Sequence, residues 1–363
     1  MTQEDQIYRN LQIHLNSMPI GFPTSDSGAD IKVLKAFFNP DEALLATYLE
    51  YDPISLERIN SKTKHLGISL EEIELKLESM VQKRIIYEEF NPKTNKKSYG
   101  NLPYAIGFFE THVNRLTKEM AETSEEYALP FIKEFLGEKT GIPQMRTVPI
   151  NAAISHENNI MSYDNAREIL ENVAGPYVVA PCVCVQSKEL IGIKCQHDMI
   201  ERCMVNSQNY LDRGDAREIS KSEAFEILQK AEDKGLVIQP GNTKDANGFC
   251  LCCGCCCGIL SHAKLLEKPA QLFATNYFSE VNEEECTGCG TCEEICPMDA
   301  IILNEFSHIN KERCIGCGVC VSKCPSKAIH LQDKEKKIIP PENDKELIAK
   351  ITKRKIELKQ ILK

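Results

Sequence analysis

A chain of 363 residues with 42% apolar and 26% charged residues is long enough for two or three domains and has the composition of a soluble globular protein, not of a peptide or a fibre. Its longest apolar runs fall short of a bilayer span, and Met1-Thr2-Gln3-Glu4-Asp5 lacks the basic and apolar regions of a secretory signal, so a cytoplasmic protein is expected. The net charge of −10 argues against a general nucleic-acid binder, and the basic excess is confined to the thirty residues from Lys334, with ten Lys/Arg against five Asp/Glu.

Residues 1–102 read as helices followed by a hairpin. Ala43, Leu44, Leu45, Tyr48 and Leu49 mark one helix, and Leu56, Ile59 and Leu66 a second. Ser69 and Glu72 form a capping box for a third, in which Leu70, Ile73, Leu77, Met80 and Val81 recur at helical spacing. Ile85, Tyr87 and Phe90 alternate as a strand, 91–95 is a turn, and Tyr99 lies on the return strand. This order resembles a winged helix. Its third helix carries Glu71, Glu72, Glu74 and Glu78 against Lys76, Lys83 and Arg84, and the wing offers only Lys93, Lys96 and Lys97, so nucleic acid is not the expected partner.

Residues 103–272 read as a mixed α and β middle domain. The stretch from Gly107 to about Gly141 is expected to be helical, through Phe108, Val113, Leu116 and Met120, then Phe131, Ile132 and Phe135. Short apolar runs such as 177–180 follow, with a helix capped by Ser220 and Glu223. A strand within 274–281 leads into a cysteine-dense domain, 273–333, and Pro340-Pro341 precedes a last basic helix in 334–363, with Leu347, Ile348, Ile351, Leu358 and Leu362 roughly on one side. The fold class expected is α+β.

Eighteen cysteines in a cytoplasmic chain of this size point to metal ligation, because that compartment keeps thiols reduced. Eight of them form a duplication at a 28-residue offset: Cys286, Cys289, Cys292 and Cys296-Pro297 are matched by Cys314, Cys317, Cys320 and Cys324-Pro325. A Cys-x-x-Cys-x-x-Cys loop can wrap three corners of a cubane, while Gly288, Gly290, Gly316 and Gly318 let backbone amides approach its sulfurs. The stretch closely resembles two-cluster ferredoxins, in which the fourth cysteine of each motif crosses to the other cluster. That resemblance implies two [4Fe–4S] clusters, one on Cys286, Cys289, Cys292 and Cys324 and one on Cys314, Cys317, Cys320 and Cys296.

Ten cysteines remain, enough for two further clusters with two thiols over, or for zinc. Cys182, Cys184, Cys195 and Cys203 have enough intervening chain to close one site. Cys250, Cys252, Cys253, Cys255, Cys256 and Cys257 crowd into eight residues, and because neighbouring side chains on an extended chain diverge, they cannot all reach one cubane without turns at Gly254 and Gly258. The two Cys-Cys-Gly triplets resemble the cysteine-rich domains of heterodisulfide reductases. His197, beside Cys195, reads as a structural histidine. Neither a dinucleotide-binding nor a P-loop glycine motif occurs.

Taken over its length, through Gly21-Phe22-Pro23, Cys182-Val183-Cys184, the six-cysteine block and the repeat, the chain resembles the multidomain "4Fe-4S dicluster" proteins of anaerobic bacteria and archaea. The expected function is relay of single electrons between a redox protein donor and an acceptor, with the acidic residues Glu283, Glu284, Glu285, Glu293 and Glu294 steering a basic partner. A reductase acting through a middle-domain cluster and a redox-sensing winged-helix regulator are the alternatives.

Overall fold

The computed structural model of the chain describes residues 2–155, 158 and 160–361. They divide into two compact units, Met1–Phe135 and Leu136–Lys363.

The first unit opens with helix α1 (Gln3–Ser17), where Thr2 and Asp5 form a reciprocal capping box, then α2 (Ala29–Phe37) and α3 (Pro40–Ala46), the latter capped in the same way by Asn39 and Glu42. Strand β1 (Ile54–Ser55) follows, and then helices α4 (Leu56–Thr63) and α5 (Leu70–Gln82) and the hairpin of β2 (Ile86–Asn91) and β3 (Lys96–Asn101), these last four in the order read from the sequence. The three strands form an antiparallel sheet in the order β1–β3–β2. Buried Asn101 ties the hairpin to α3, donating through Nδ2 to the Ala46 carbonyl at 2.8 Å.

The unit continues past Leu102 because α6 (Lys118–Phe135) packs on α2 and brings Tyr127 and Phe131 into a ring cluster with Phe22, Phe37, Tyr104 and Phe108. The helix expected from Gly107 does not form until Lys118. Tyr104 and Phe108 turn into the ring cluster instead, and the Glu110 carboxylate accepts the Gly107 N–H at 2.7 Å, so tertiary contacts override the local pattern.

The second unit holds a five-stranded antiparallel sheet built from β4 (Tyr177–Pro181), β5 (Glu201–Val205), β6 (Arg217–Ile219), β7 (Val237–Pro240) and β8 (Gly248–Cys252), in the order β6–β4–β5–β8–β7. Its helices are α7 (Ala166–Asn172), α8 (Val183–Leu190), α9 (Gln208–Asp212), α10 (Lys221–Asp233) and α11 (Gly258–Ala263). Ser220 caps α10, accepting the Glu223 N–H at 3.1 Å.

The repeat belongs to the same unit. Strand β9 (Tyr277–Val281) leads to α12 (Thr291–Ile295) and hairpin β10 (Ile301–Leu303) and β11 (Ser307–Ile309); α13 (Val319–Lys323) then leads to β12 (Ile329–Asp333), which pairs back on β9. Residues 145–150 strap the repeat to the sheet: Val148 bridges Ile238, Arg146 bridges Ala274, and the Ile150 N–H donates to the Cys317 carbonyl at 3.0 Å. Helix α14 (Asp344–Ile361) buries Leu347 and Ile351 while Ile356 is exposed; Leu362 lies outside the described residues. No described helix is long and apolar enough to cross a membrane.

At the centre of the strap, fully buried Arg146 and Asp164 form an ion pair, and Asp164 Oδ2 also accepts from Asn276 Nδ2 at 2.7 Å and the Tyr277 hydroxyl at 3.2 Å. Removing one member of such a pair leaves a buried charge, at a cost of about 3–5 kcal/mol, whereas removing both does not. Asp164→Ala is therefore expected to lower the urea midpoint of anaerobic holoprotein strongly, and the added change Arg146→Ala to recover part of it. Equal midpoints for the single and double variants would show that the pair carries no special weight.

Candidate metal centres

The repeat folds around two cavities. The second is lined by Cys314, Cys317 and Cys320 of the second motif together with Cys296 of the first. The first is lined by Cys286, Cys289 and Cys292 together with Cys324. Local geometry produces the exchange. Gly290 and Gly318, at φ of 79° and 75°, start α12 and α13, which carry Cys292 and Cys320; the chain leaves each helix extended at Cys296 and Cys324. Helices α12 and α13 pack on each other, so each exit points to the neighbouring cavity. Gly316 is held at φ 66° where an added Cβ would run into the Tyr277 carbonyl, so the second loop admits only glycine there.

The donor set suits a cluster with sulfur ligands. Among the described residues, neither cavity is lined by a carboxylate or an imidazole. The backbone N–H groups of Ser279 and Ala300 donate to Cys314 Sγ at 3.4 Å and Cys296 Sγ at 3.3 Å, and the Ser307 hydroxyl lies 3.1 Å from Cys292 Sγ. Such groups stabilise negative charge on thiolate and cluster sulfur.

The two cavities differ in exposure. Cys314, Cys317 and Cys320 are buried, while Cys289 is exposed. Burial pushes the Cys317 and Cys320 thiols well above the ordinary range. Cys286 is held below it by backbone hydrogen bonding at Ser307 and then Gly288, and Cys289 by the Thr291 hydroxyl and amide. Glu283, Glu284, Glu285, Glu293 and Glu294 are all exposed around the first motif.

The ten middle cysteines are not grouped as their spacing suggests. Cys195 leaves Cys182, Cys184 and Cys203 and joins Cys253, Cys255 and Cys256, the four sulfurs all lying within 4.8 Å of one another. Cys195 Sγ is 3.8 Å from both Cys253 Sγ and Cys255 Sγ. The reason is the turn that ends β8: alternation along the strand puts Cys250 and Cys252 on the face opposite Phe249 and Leu251, and the turn at 253–256 then aims three cysteines elsewhere. Six cysteines in eight residues are thus divided between two places. Cys252 and Cys257 contact each other, Cys257 contacts Cys184, Cys184 contacts Cys182, and Cys252 contacts Cys250. In this chain of thiols the neighbours Cys184 and Cys252 hold Cys257 at about 6. Cys203 lies opposite Cys250 on β5.

Arg202, on β5, is a residue that sequence reading passed over. Its side chain is buried, with Nη1 donating to Cys253 Sγ at 3.1 Å and Nη2 to Cys195 Sγ at 3.2 Å. The only signal was a charged residue in an alternating strand beside Cys203. His197 supplies a backbone carbonyl to Arg202 at 3.0 Å, and its ring is not among the converging ligand atoms.

The turn also meets the repeat. A Cβ on Gly254 would lie 2.6 Å from the Pro297 carbonyl oxygen and 2.9 Å from its Cα, so the loop between Cys253 and Cys255 rests on the backbone just after Cys296. Against known families, residues 277–329 match the 4Fe-4S dicluster domain, a span that covers the repeat except its last strand and leaves the middle cysteines outside. Comparison with curated proteins and with solved structures gave no match. The chain therefore carries a 4Fe-4S dicluster domain at residues 277–329, joined in one compact unit to a separate set of cysteines.

Proposed function

We propose that this chain is an iron–sulfur electron-transfer protein that relays single electrons between a redox protein donor and an acceptor. The observation that carries the reading is the lining of the two cavities, each by three cysteines of one motif and the fourth of the other. In this reading Cys286, Cys289, Cys292 and Cys324 hold one [4Fe–4S] cluster and Cys314, Cys317, Cys320 and Cys296 the other. Each cluster supplies one-electron chemistry at a potential set by its surroundings.

The protein's own part is to hold, tune and expose. Ile301, Ile309 and Ile315 keep the second cavity apolar, and Ser279 and Ala300 donate to its thiolates. Exposed Cys289 makes the first cavity the entry or exit point, with the acidic residues around it attracting a basic partner. The ten middle cysteines supply further metal sites next to the second cavity.

The element order of β1, α4, α5, β2 and β3 supports a winged helix, yet four of its lysines are already paired. Lys96 pairs with Glu57, Lys97 with Glu78 and Glu88, Lys76 with Asp41 and Lys83 with Glu42. Little positive charge is left for phosphate, which supports a protein-contact role over a DNA-reading one. Selection from random duplexes at moderate salt is expected to enrich no sequence; a consensus that disappears on changing Lys93, Lys96 and Lys97 to Glu would favour the regulator instead.

Cys324→Ala tests the crossed ligands directly. Reduced wild-type protein is expected to show the EPR of two interacting [4Fe–4S]⁺ centres, and the variant to lose the centre on Cys286, Cys289 and Cys292 with about four iron atoms per chain. Cys296→Ala should remove the other centre. Loss in each variant of the centre of its own motif would refute the assignment.

A further inference from the structure

We infer that Cys195, Cys253, Cys255 and Cys256 form a mononuclear tetrathiolate site for one divalent transition-metal ion, iron or zinc, with Arg202 as its charge partner. The distances carry this. Thiolates about 2.3 Å from a single ion at a tetrahedral centre are separated from one another by about 3.8 Å. The two separations from Cys195 to Cys253 and Cys255 have that value, and all four sulfurs fall within 4.8 Å. A cubane places each thiolate on a different iron and needs room between them for four irons and four sulfides. The sulfurs of the two ferredoxin-type cavities, by contrast, are not among those converging within 4.8 Å. A disulfide is excluded at these distances, since its bond is about 2.05 Å.

Charge supports the same assignment. Four thiolates around a divalent ion leave two negative charges on a half-buried site. The buried Arg202 guanidinium bonds two of the four sulfurs, and two more of its N–H groups are held by the carbonyls of His197 and Met199, so it is fixed in place. The chain converges from two segments, Cys195 being 58 and 60 residues from its partners at 253 and 255. An ion here would close the turn that rests on Pro297. Iron would add an electron-accepting centre beside the second ferredoxin-type cavity, whereas zinc would fix the turn without redox chemistry.

The test is metal and acid-labile sulfide per chain on anaerobic full-length protein. Cubanes contribute iron and sulfide in equal number, so sulfide at about eight per chain reports the ferredoxin-type clusters on its own and separates failure of the relay reading from failure of this one. Cys255→Ser is expected to lose about one iron or one zinc atom with sulfide unchanged. Which metal is lost tells the two ions apart, and both outcomes support the site. Loss of iron and sulfide in step would mean a third cluster, and unchanged metal would mean idle thiols; each overturns the inference. Should Cys255→Ser fail to fold, Arg202→Gln leaves every thiolate in place and is expected to speed release of that one ion to a chelator about 10–100-fold, again without sulfide. Release at the wild-type rate, or release of sulfide with the metal, would overturn it.

Discussion

Thiolates repel one another, and a protein that gathers many of them must supply positive charge or hydrogen-bond donors at every gathering point. This chain does so in three ways. At the repeat, backbone amides of Ser279 and Ala300 and the hydroxyl of Ser307 face the sulfurs. At the turn after β8, a buried guanidinium takes that role. Along Cys182, Cys184, Cys257, Cys252 and Cys250 the sulfurs hydrogen-bond to one another, raising Cys182 through Cys184 and Cys252 through Cys250 while Cys257 falls.

The strap at residues 145–150 decides that these gathering points lie together. It pairs with β7 on one side and reaches the Cys317 carbonyl on the other, and the Arg146–Asp164 pair fixes its depth. From the opposite side, Gly254 against Pro297 and the Arg313 guanidinium on the carbonyls of Lys264 and Met298 hold the turn after β8 and the end of α11 against the loop after α12. Short spacing between the cysteine groups is therefore a property of backbone packing within one unit. Surface ion pairs contribute little to it.

The repeat was legible because its information is local: ligand spacing, the glycines and the proline all sit within a dozen residues, and the crossing follows from the resemblance they carry. Helices α5 and α10 were legible from capping serines and α4 from helical periodicity, for the same reason. Two things were not. The break at 104–117 depends on rings from Phe22, Phe37 and Tyr127, far off in sequence, and so does the extension of the first unit to Phe135. The partition of the middle cysteines depends on where β8 ends, and a run of Cys-Leu-Cys-Cys-Gly does not show whether the strand stops at 252 or continues. One residue further would have sent Cys253 to the other face and left Cys195 and Arg202 without it.

The exposures of the two cavities differ in a way that sequence symmetry hides. The motifs are near repeats, yet Cys289 is exposed whereas Cys314, Cys317 and Cys320 are buried against the strap. The cause is that the second loop packs on two neighbours the first loop lacks: Gly318 faces Ala153 and Gly316 faces Tyr277, while around the first motif a run of glutamates faces solvent. Burial disfavours added negative charge, and the buried set has more of its thiol shift from that cause. A cluster held there would therefore be harder to reduce unless positive charge lies near it, and Lys334, whose ammonium is coupled electrostatically to Cys314, supplies such charge.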